Sequence, residues 1–277
     1  ALVSTINSWY ALEHGASLKG SLYQFIELNT NRNLAMYITV SSEGRDRLLE
    51  SGISEQVIAM IPNAIEIDVE SVPGDRASML RSFGWPEHAF VCCAAGRLVW
   101  AKGYEVLIEA IAQLAQEHPH LYCVILGDGP QRGDLDAQIA RAVLRERIRL
   151  GGFRSPGETL STIKSCDVFV MPSRSEGTPL ARLEAAALCR PILAARVGGI
   201  PDLVSDREQA LLVAPGDVSA LAAGLSWLVD KPQFAARLGM EAQRRVRAEY
   251  SLQSQVDATM QVYRNAWARR RNRLPGA

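Results

Sequence analysis

The sequence predicts an α/β protein built on a parallel sheet with helices on both faces. Three observations carry this. From residue 90 onward, short apolar runs alternate with longer amphipathic ones at regular spacing, as strands joined by crossover helices do. The run Phe90–Ala95 reads as a buried strand. The residues with chemical potential fall just after the apolar runs, where ligands of such sheets bind, beyond the carboxyl ends of strands.

Composition bounds the rest. The 277 residues suffice for a sizeable core and two lobes. Thirty basic and thirty acidic side chains cancel, which argues against a nucleic-acid partner. No apolar run approaches a membrane span, and the start carries no secretory signal. Cys92, Cys93, Cys123, Cys166 and Cys189 have no C-x-x-C spacing and read as reduced core residues of a cytoplasmic protein. His118 and His120 flank Pro119 and read as solvated loop residues.

In chain order, residues 1–9 give a short strand, 21–32 a weakly patterned helix, 36–40 a strand, 42–51 a helix and 57–61 a strand. Residues 66–89 form a linker with a helix at Arg76–Phe83. Then come strand Phe90–Ala95, helix 104–117, strand 122–126, helix 134–142, strand 148–150, helix 159–165 and strand Val168–Met171. Beyond residue 204 follow a strand at 210–213 and helices at 218–228, 232–250 and 252–271. The expected organisation is an N-terminal lobe at 1–65, a second lobe at 66–250, and a terminal segment at 251–277.

The stretch 171–204 holds the most chemistry. Thr178 and Pro179 are expected to open a short helix and Pro191 to stop it. Leu180, Leu183 and Ala187 mark its buried face, and Glu184 points to the side of Leu180. A carboxylate there is costly unless something pairs with it. Glu176 lies in the loop feeding the helix N-terminus, whose free N–H groups suit a phosphate. Two carboxylates for hydroxyls with an anion seat between them fit a sugar joined to a nucleotide through a diphosphate. The plain alternative has Glu184 reaching solvent or capping a neighbouring Arg. Upstream, Gly96-Arg97 and Lys102-Gly103 place two cations five residues apart after a strand, either bracketing a diphosphate or forming an ordinary surface pair. Gly127-Asp128-Gly129 lacks the third glycine of a dinucleotide fingerprint and reads as a turn that lets backbone approach a ligand.

Pro172-Ser173, Glu176-Gly177, the Glu184-Ala-Ala run, Arg190-Pro191 and Gly198-Gly199-Ile200-Pro201-Asp202 together resemble the E-x7-E region of retaining glycosyltransferases of the GT4 family. Gly96-Arg97 through Lys102-Gly103 is similar to that family's GR-L-x-x-x-KG signature. The resemblance implies the GT-B fold: two Rossmann-like lobes, here with the N-terminal, acceptor-binding one expected to be incomplete. It implies a hexose-type donor carried on a nucleotide diphosphate, a hydroxyl acceptor (glycan or lipid-linked) and no metal or other cofactor. Arg97 and Lys102 would neutralise the leaving diphosphate. Glu176 would hold donor-sugar hydroxyls and Glu184 the ribose hydroxyls. The backbone of Thr178, Pro179 and Leu180 would take sugar and phosphate oxygens, with Gly96, Gly127, Ser173 and Gly177 lining the site. The loop at Phe153 and Arg154 would grip the base, and the terminal helix would cross back onto the N-terminal lobe. The family often carries His-Gly where Asn7-Ser8 stand here. Asn can hydrogen-bond a hydroxyl but cannot take its proton. The chain alone is therefore expected to bind a nucleoside diphosphate and transfer sugar poorly. A nucleotide-sugar-binding pseudoenzyme or inactive fragment is the first alternative, and a sugar phosphorylase of the same architecture the second. Arg269, Arg270, Arg271 and Arg273 read as a solvated tail, or more weakly as a contact with the inner face of a membrane.

Overall fold

A computed structural model describes residues 1–7 and 34–273. The helix expected at 21–32, and Ser8, lie outside the described residues. Two parallel sheets are present among the described residues. The first takes β1 (Val3–Ile6), β2 (Met36–Thr39) and β3 (Ile58–Met60) in that order, with α1 (Ser42–Glu50) between β2 and β3. Ser41 caps α1 by accepting from the Gly44 amide at 3.2 Å.

The second sheet has six strands. After α2 (Arg76–Phe83) come β4 (Phe90–Ala95), α3 (Tyr104–Leu114), β5 (Leu121–Leu126), α4 (Arg132–Arg141), β6 (Ile148–Gly152), α5 (Pro156–Ser165) and β7 (Val168–Met171). They are followed by α6 (Leu180–Ala187), β8 (Ile192–Ala195), α7 (Ile200–Leu203), β9 (Leu211–Val213), α8 (Val218–Asp230), α9 (Pro232–Glu249) and α10 (Leu252–Arg273). The spatial order is β6-β5-β4-β7-β8-β9. The chain winds outward from β4 to β6, then returns to start again at β7. The switch point therefore lies between β4 and β7, and a ligand site is expected beyond their carboxyl ends. The pleat of β4 divides its side chains between two cores: Val91 and Cys93 face α2, α5, α6 and α9, whereas Cys92 and Ala94 face α3, α4 and α8.

The two sheets are tied by groups far apart in sequence. Asp202 accepts from the Ser42 amide at 2.7 Å and the Ser42 hydroxyl at 2.6 Å. Ile65, in the linker, donates its amide to the carbonyl of Tyr250 at 3.0 Å. Helix α10 crosses back so that Val262 and Ala266 pack on Met36, Ile38 and Ile61.

Element boundaries lie within about three residues of expectation, and several side chains depart further. His118 is 4 % exposed and shares a 2.8 Å hydrogen bond with Ser226. It is a core residue and not a solvated one, because the loop before β5 folds under α8. Thr178 does not cap α6; Pro179 holds that position and the Thr178 hydroxyl donates to the Val40 carbonyl in the first lobe. Leu180 is 52 % exposed because it opens the helix at a cleft, whereas Leu183, Ala185, Ala186 and Ala187 meet the core. Arg269 to Arg271 continue α10, with Arg269 donating to the Gln56 carbonyl at 2.7 Å. The buried cysteines are free, and Cys189 is half-buried.

Arg182, on α6, was not singled out by sequence. It is fully buried, and Nε, Nη1 and Nη2 all lack a hydrogen-bond partner. Burial pushes its pKa down to about 9, with Tyr250 opposing the shift and the nearby Arg245 adding to it. The charged form is thus penalised in the folded state, fully so below pH 9 and less as pH rises towards the unfolded value. Arg182→Met should therefore stabilise the fold by about 1–4 kcal/mol. Thermal unfolding near neutral pH should show a Tm gain of roughly 2–10 °C, narrowing above pH 9; an unchanged or lower Tm would mean the cation is compensated.

Candidate active site

The loops beyond the switch point are stitched together by backbone. Gly96 donates to the Leu126 carbonyl at 2.9 Å, and Gly127 donates to the Gly152 carbonyl at 2.8 Å. Gly127 has φ 127°, and a Cβ there would overlap the carbonyl oxygen of Gly96. The Gly127-Asp128-Gly129 turn thus packs closely against the 96–98 loop. Leu98 completes the junction by donating to the Asp128 carbonyl at 3.0 Å.

The next loop brings Lys102 to Glu176. A single 3-10 turn, Trp100–Lys102, presents the Ala101 carbonyl, which accepts from the amides of Arg174 at 2.8 Å and Ser175 at 3.3 Å. This aligns the two loops so that Lys102 Nζ sits 2.8 and 2.9 Å from the two Glu176 oxygens. Ser173 donates to the same carboxylate at 2.6 Å. The Glu176 side chain is only 6 % exposed, so the pairing is needed to hold its charge. Burial pushes the Tyr104 phenol up, and the Glu176 charge adds to that shift.

Gly198, at φ 54°, completes the floor, because a Cβ there would overlap the Glu176 carbonyl. Gly199 donates to the Gly177 carbonyl at 3.1 Å. The first lobe reaches the same place. Asn63 donates to the Thr178 carbonyl at 2.9 Å, and a Cβ on Gly177 would overlap the backbone carbonyl of Asn7. Asn7 is exposed at the end of β1.

These loops enclose a cleft in two adjoining parts. One, about 560 Å³, is lined by Gly96, Arg97, Val99, Trp100, Lys102, Pro130, Gln131, Glu176, Gly177, Pro179 and Leu180, among others. The other, about 350 Å³, is lined by Gly127, Asp128, Phe153, Arg154, Thr159 and Glu184. Ala95, Gly96, Arg97 and Ala181 belong to both. Arg97 is exposed and makes no ion pair among the described residues. Phe153 is 81 % exposed, while Arg154 donates to the Gly151 carbonyl at 3.2 Å. The Glu184 carboxylate has no hydrogen-bond partner among the described residues, and burial raises its pKa. No cluster of metal-ligating side chains occurs among the described residues.

Arg97, Lys102, Glu176 and Leu180 thus share the larger part, and Phe153, Arg154 and Glu184 the smaller. Trp100, Pro130, Gln131, Thr159 and Ala181 were missed by sequence reading. Only Trp100 carried a signal, standing as an aromatic between the two candidate cations.

The family described as "Glycosyl transferases group 1" matches residues 75–245. The chain belongs to that family. It is 33 % identical over 185 residues to the 2-deoxystreptamine glucosyltransferase of Streptomyces kanamyceticus, covering 66 % of this chain and 48 % of that one. It is 29 % identical over 268 residues to the glycogen synthase of Mycobacterium tuberculosis, covering 95 % and 62 %. It shares a fold with Anabaena HepE, solved in complex with UDP-glucose, at TM-score 0.82 and 22 % identity, covering 96 % and 72 %. The chain spans about half to three-fifths of the length of these two curated relatives.

The unpartnered Glu184 gives a stability test that needs no ligand. A carboxyl whose pKa is raised on folding favours the folded state when protonated, so stability falls as pH rises through the window between its unfolded and raised values. The penalty is absent below the ordinary carboxylate range and grows as pH rises above it. Glu184→Gln should therefore have a higher Tm than the parent at pH 7, with the gain vanishing below the ordinary carboxylate range. Melting curves across pH 3–8 check this, and a gain that persists at acid pH would assign the effect to packing.

Proposed function

We propose that this chain supplies the donor-binding part of a metal-independent GT4-type glycosyltransferase, which moves a hexose from a nucleotide diphosphate sugar to a hydroxyl acceptor with retention. One observation carries the reading: a single cleft aligns an unpartnered carboxylate, an unpaired guanidinium and a part-buried Lys–Glu pair at the switch point of a parallel sheet. In this order they match ribose, diphosphate and sugar. Glu184 accepts from the ribose hydroxyls beside the base loop at Phe153 and Arg154. Arg97 and Lys102 bracket the diphosphate over Gly96. Glu176, steadied by Ser173, accepts from sugar hydroxyls, and the backbone of Gly177 to Leu180 donates to sugar and phosphate oxygens.

In transfer, the bond between the anomeric carbon and the phosphate oxygen breaks, and the acceptor oxygen bonds to that carbon on the same face. The acceptor proton passes to the departing phosphate. This route asks no side chain to take a proton, which suits Asn7 at the end of β1. Lys102 spends its charge on Glu176 before the donor arrives and shares it with the leaving phosphate afterwards, so charge stabilisation grows where charge develops. The acceptor hydroxyl approaches from the first lobe, and closure of the two lobes excludes water. UDP-glucose, bound by HepE, is the first donor to test.

A second reading, a nucleotide-sugar-binding protein without turnover, is favoured by Asn7 standing where a protonatable group would strengthen the sugar contact. Sugar transfer measured with a panel of nucleotide sugars separates the two: turnover supports the enzyme, and tight donor binding with no transfer or donor hydrolysis supports the binder. A peripheral contact with anionic lipid at the cytoplasmic face is supported by α10, which exposes Met260, Tyr263 and Trp267 along a helix carrying Arg264, Arg270 and Arg271. Among the described residues no helix is long and apolar enough to cross a membrane.

Two substitutions test the donor assignments. Glu184→Gln should weaken binding of a nucleoside diphosphate by about 1.5–3 kcal/mol, the worth of a charged hydrogen bond. Arg97→Ala should weaken the diphosphate much more than the nucleoside. Calorimetry on both ligands reads this directly, and an equal loss for the two would make Arg97 structural.

A further inference from the structure

Under Gly96, at the floor of the cleft, lies a hydroxyl that the donor assignments leave unused. Tyr104 is the first residue of α3 and is 2 % exposed. Its ring belongs to the core that Cys92 and Ala94 face. Its phenol oxygen reaches the strand end: a Cβ on Gly96 would sit 2.9 Å from that oxygen and 3.3 Å from Lys102 Cε. Gly96 sends its amide to the Leu126 carbonyl, and its own carbonyl lies against Gly127. The face that a side chain would occupy is thus left to Tyr104 and Lys102, and Gly96 itself lines both parts of the cleft.

The hydroxyl has no hydrogen-bond partner among the described residues, yet it is not one of the groups sealed from solvent. Glu176, whose charge reaches it, is already engaged: both of its oxygens accept from Lys102 and one also from Ser173. Burial and the Glu176 charge push the phenol pKa up, so the group keeps its proton throughout the neutral range and has it free to share. An unused donor in a buried phenol costs free energy that an arriving acceptor recovers. For packing alone phenylalanine would serve; the oxygen adds only a donor, set where glycine leaves the backbone bare.

We propose that the Tyr104 hydroxyl donates to the diphosphate of the nucleotide sugar, at the phosphate that carries the sugar. The inference rests on the glycosyltransferase reading and adds a ligand contact to it. Three conditions select this acceptor. It lies beside Gly96 and Lys102, where that reading seats the diphosphate. It is a charged oxygen, the acceptor that best repays a buried donor. It lies towards Glu176, whose charge Tyr104 feels, and away from Glu184, which lines the other part of the cleft. In transfer, the electron pair of the bond between the anomeric carbon and the phosphate oxygen passes to that phosphate, and the acceptor proton ends there too. Tyr104 keeps its own proton and gives only a hydrogen bond, which strengthens as charge gathers on the leaving phosphate.

Tyr104→Phe removes one oxygen and keeps the ring, so the Tm of the free chain should be unchanged or higher. Calorimetry with UDP, UMP and uridine then reads the contact, with the guanosine series in their place if the parent prefers that base. Diphosphate affinity should fall by about tenfold or more, the worth of a hydrogen bond to a charged group. The monophosphate and the nucleoside should each move by less than about twofold, as an undisturbed part of the site does. Phosphorus NMR of the bound diphosphate gives a second reading: the β-phosphate resonance should differ between parent and variant, and the α-phosphate resonance should not. A lower Tm for Tyr104→Phe overturns the proposal, because the hydroxyl then has a partner in the free protein. An unchanged diphosphate affinity, or an equal loss for all three ligands, overturns it as well. A parent chain that binds neither UDP nor GDP overturns the glycosyltransferase reading first.

Discussion

The cleft depends on backbone packed directly against backbone at the carboxyl ends of the strands. Gly127 lies on the carbonyl of Gly96, and Gly198 lies on the carbonyl of Glu176. Each contact is closed further by an amide-to-carbonyl bond to a neighbouring loop. With no side chains between them, the loops present their own N–H groups and a few long side chains to the cavity. Rigidity at this level lets Lys102 and Glu176, seventy-four residues apart, meet with both oxygens inside 3 Å. The same logic joins the lobes, where Gly177 admits the backbone of Asn7.

Charge is distributed unevenly over this frame, and the unevenness is informative. The Lys102–Glu176 pair is part-buried and neutral as a unit. Arg97 is exposed and unpaired, and Glu184 is half-buried and unpaired. A protein optimised for stability alone would pair or remove both. Arg182 adds a third uncompensated charge on the same short helix as Glu184. Helix α6 therefore carries two groups that cost stability. One, Glu184, faces the cleft; the other, Arg182, lies near Tyr250 and Arg245.

Much of this was legible in the sequence. Every element of the six-stranded sheet announces itself by periodicity, because parallel strands buried on both faces are continuous apolar runs bounded by helices. That Arg97, Lys102 and Glu176 would lie at a cleft was legible from their places after strands, and that Glu184 would from its place four residues after Leu180 on one helix. Pairings were not. Nothing local says that Lys102 meets Glu176, that Thr178 turns to Val40 instead of capping α6, or that His118 is buried under α8. Those outcomes are set by contacts across lobes and between layers, beyond the reach of spacing along one element. Trp100 was overlooked for a related reason: an aromatic in a loop has no periodic signature, and its meaning comes from the cleft it lines.

The long-range ties between the lobes also order the making of the molecule. Strand β2 is synthesised well before Val262 and Ala266, which cover its apolar face. The loop after it is held by Asp202. The six-stranded sheet, in contrast, draws all its strands from residues 90–213. The strands of the first sheet are thus finished only when α10 arrives, and until then they present an uncovered apolar face that can pair with another nascent chain. Slow synthesis between Asp202 and α10 would lengthen that exposure.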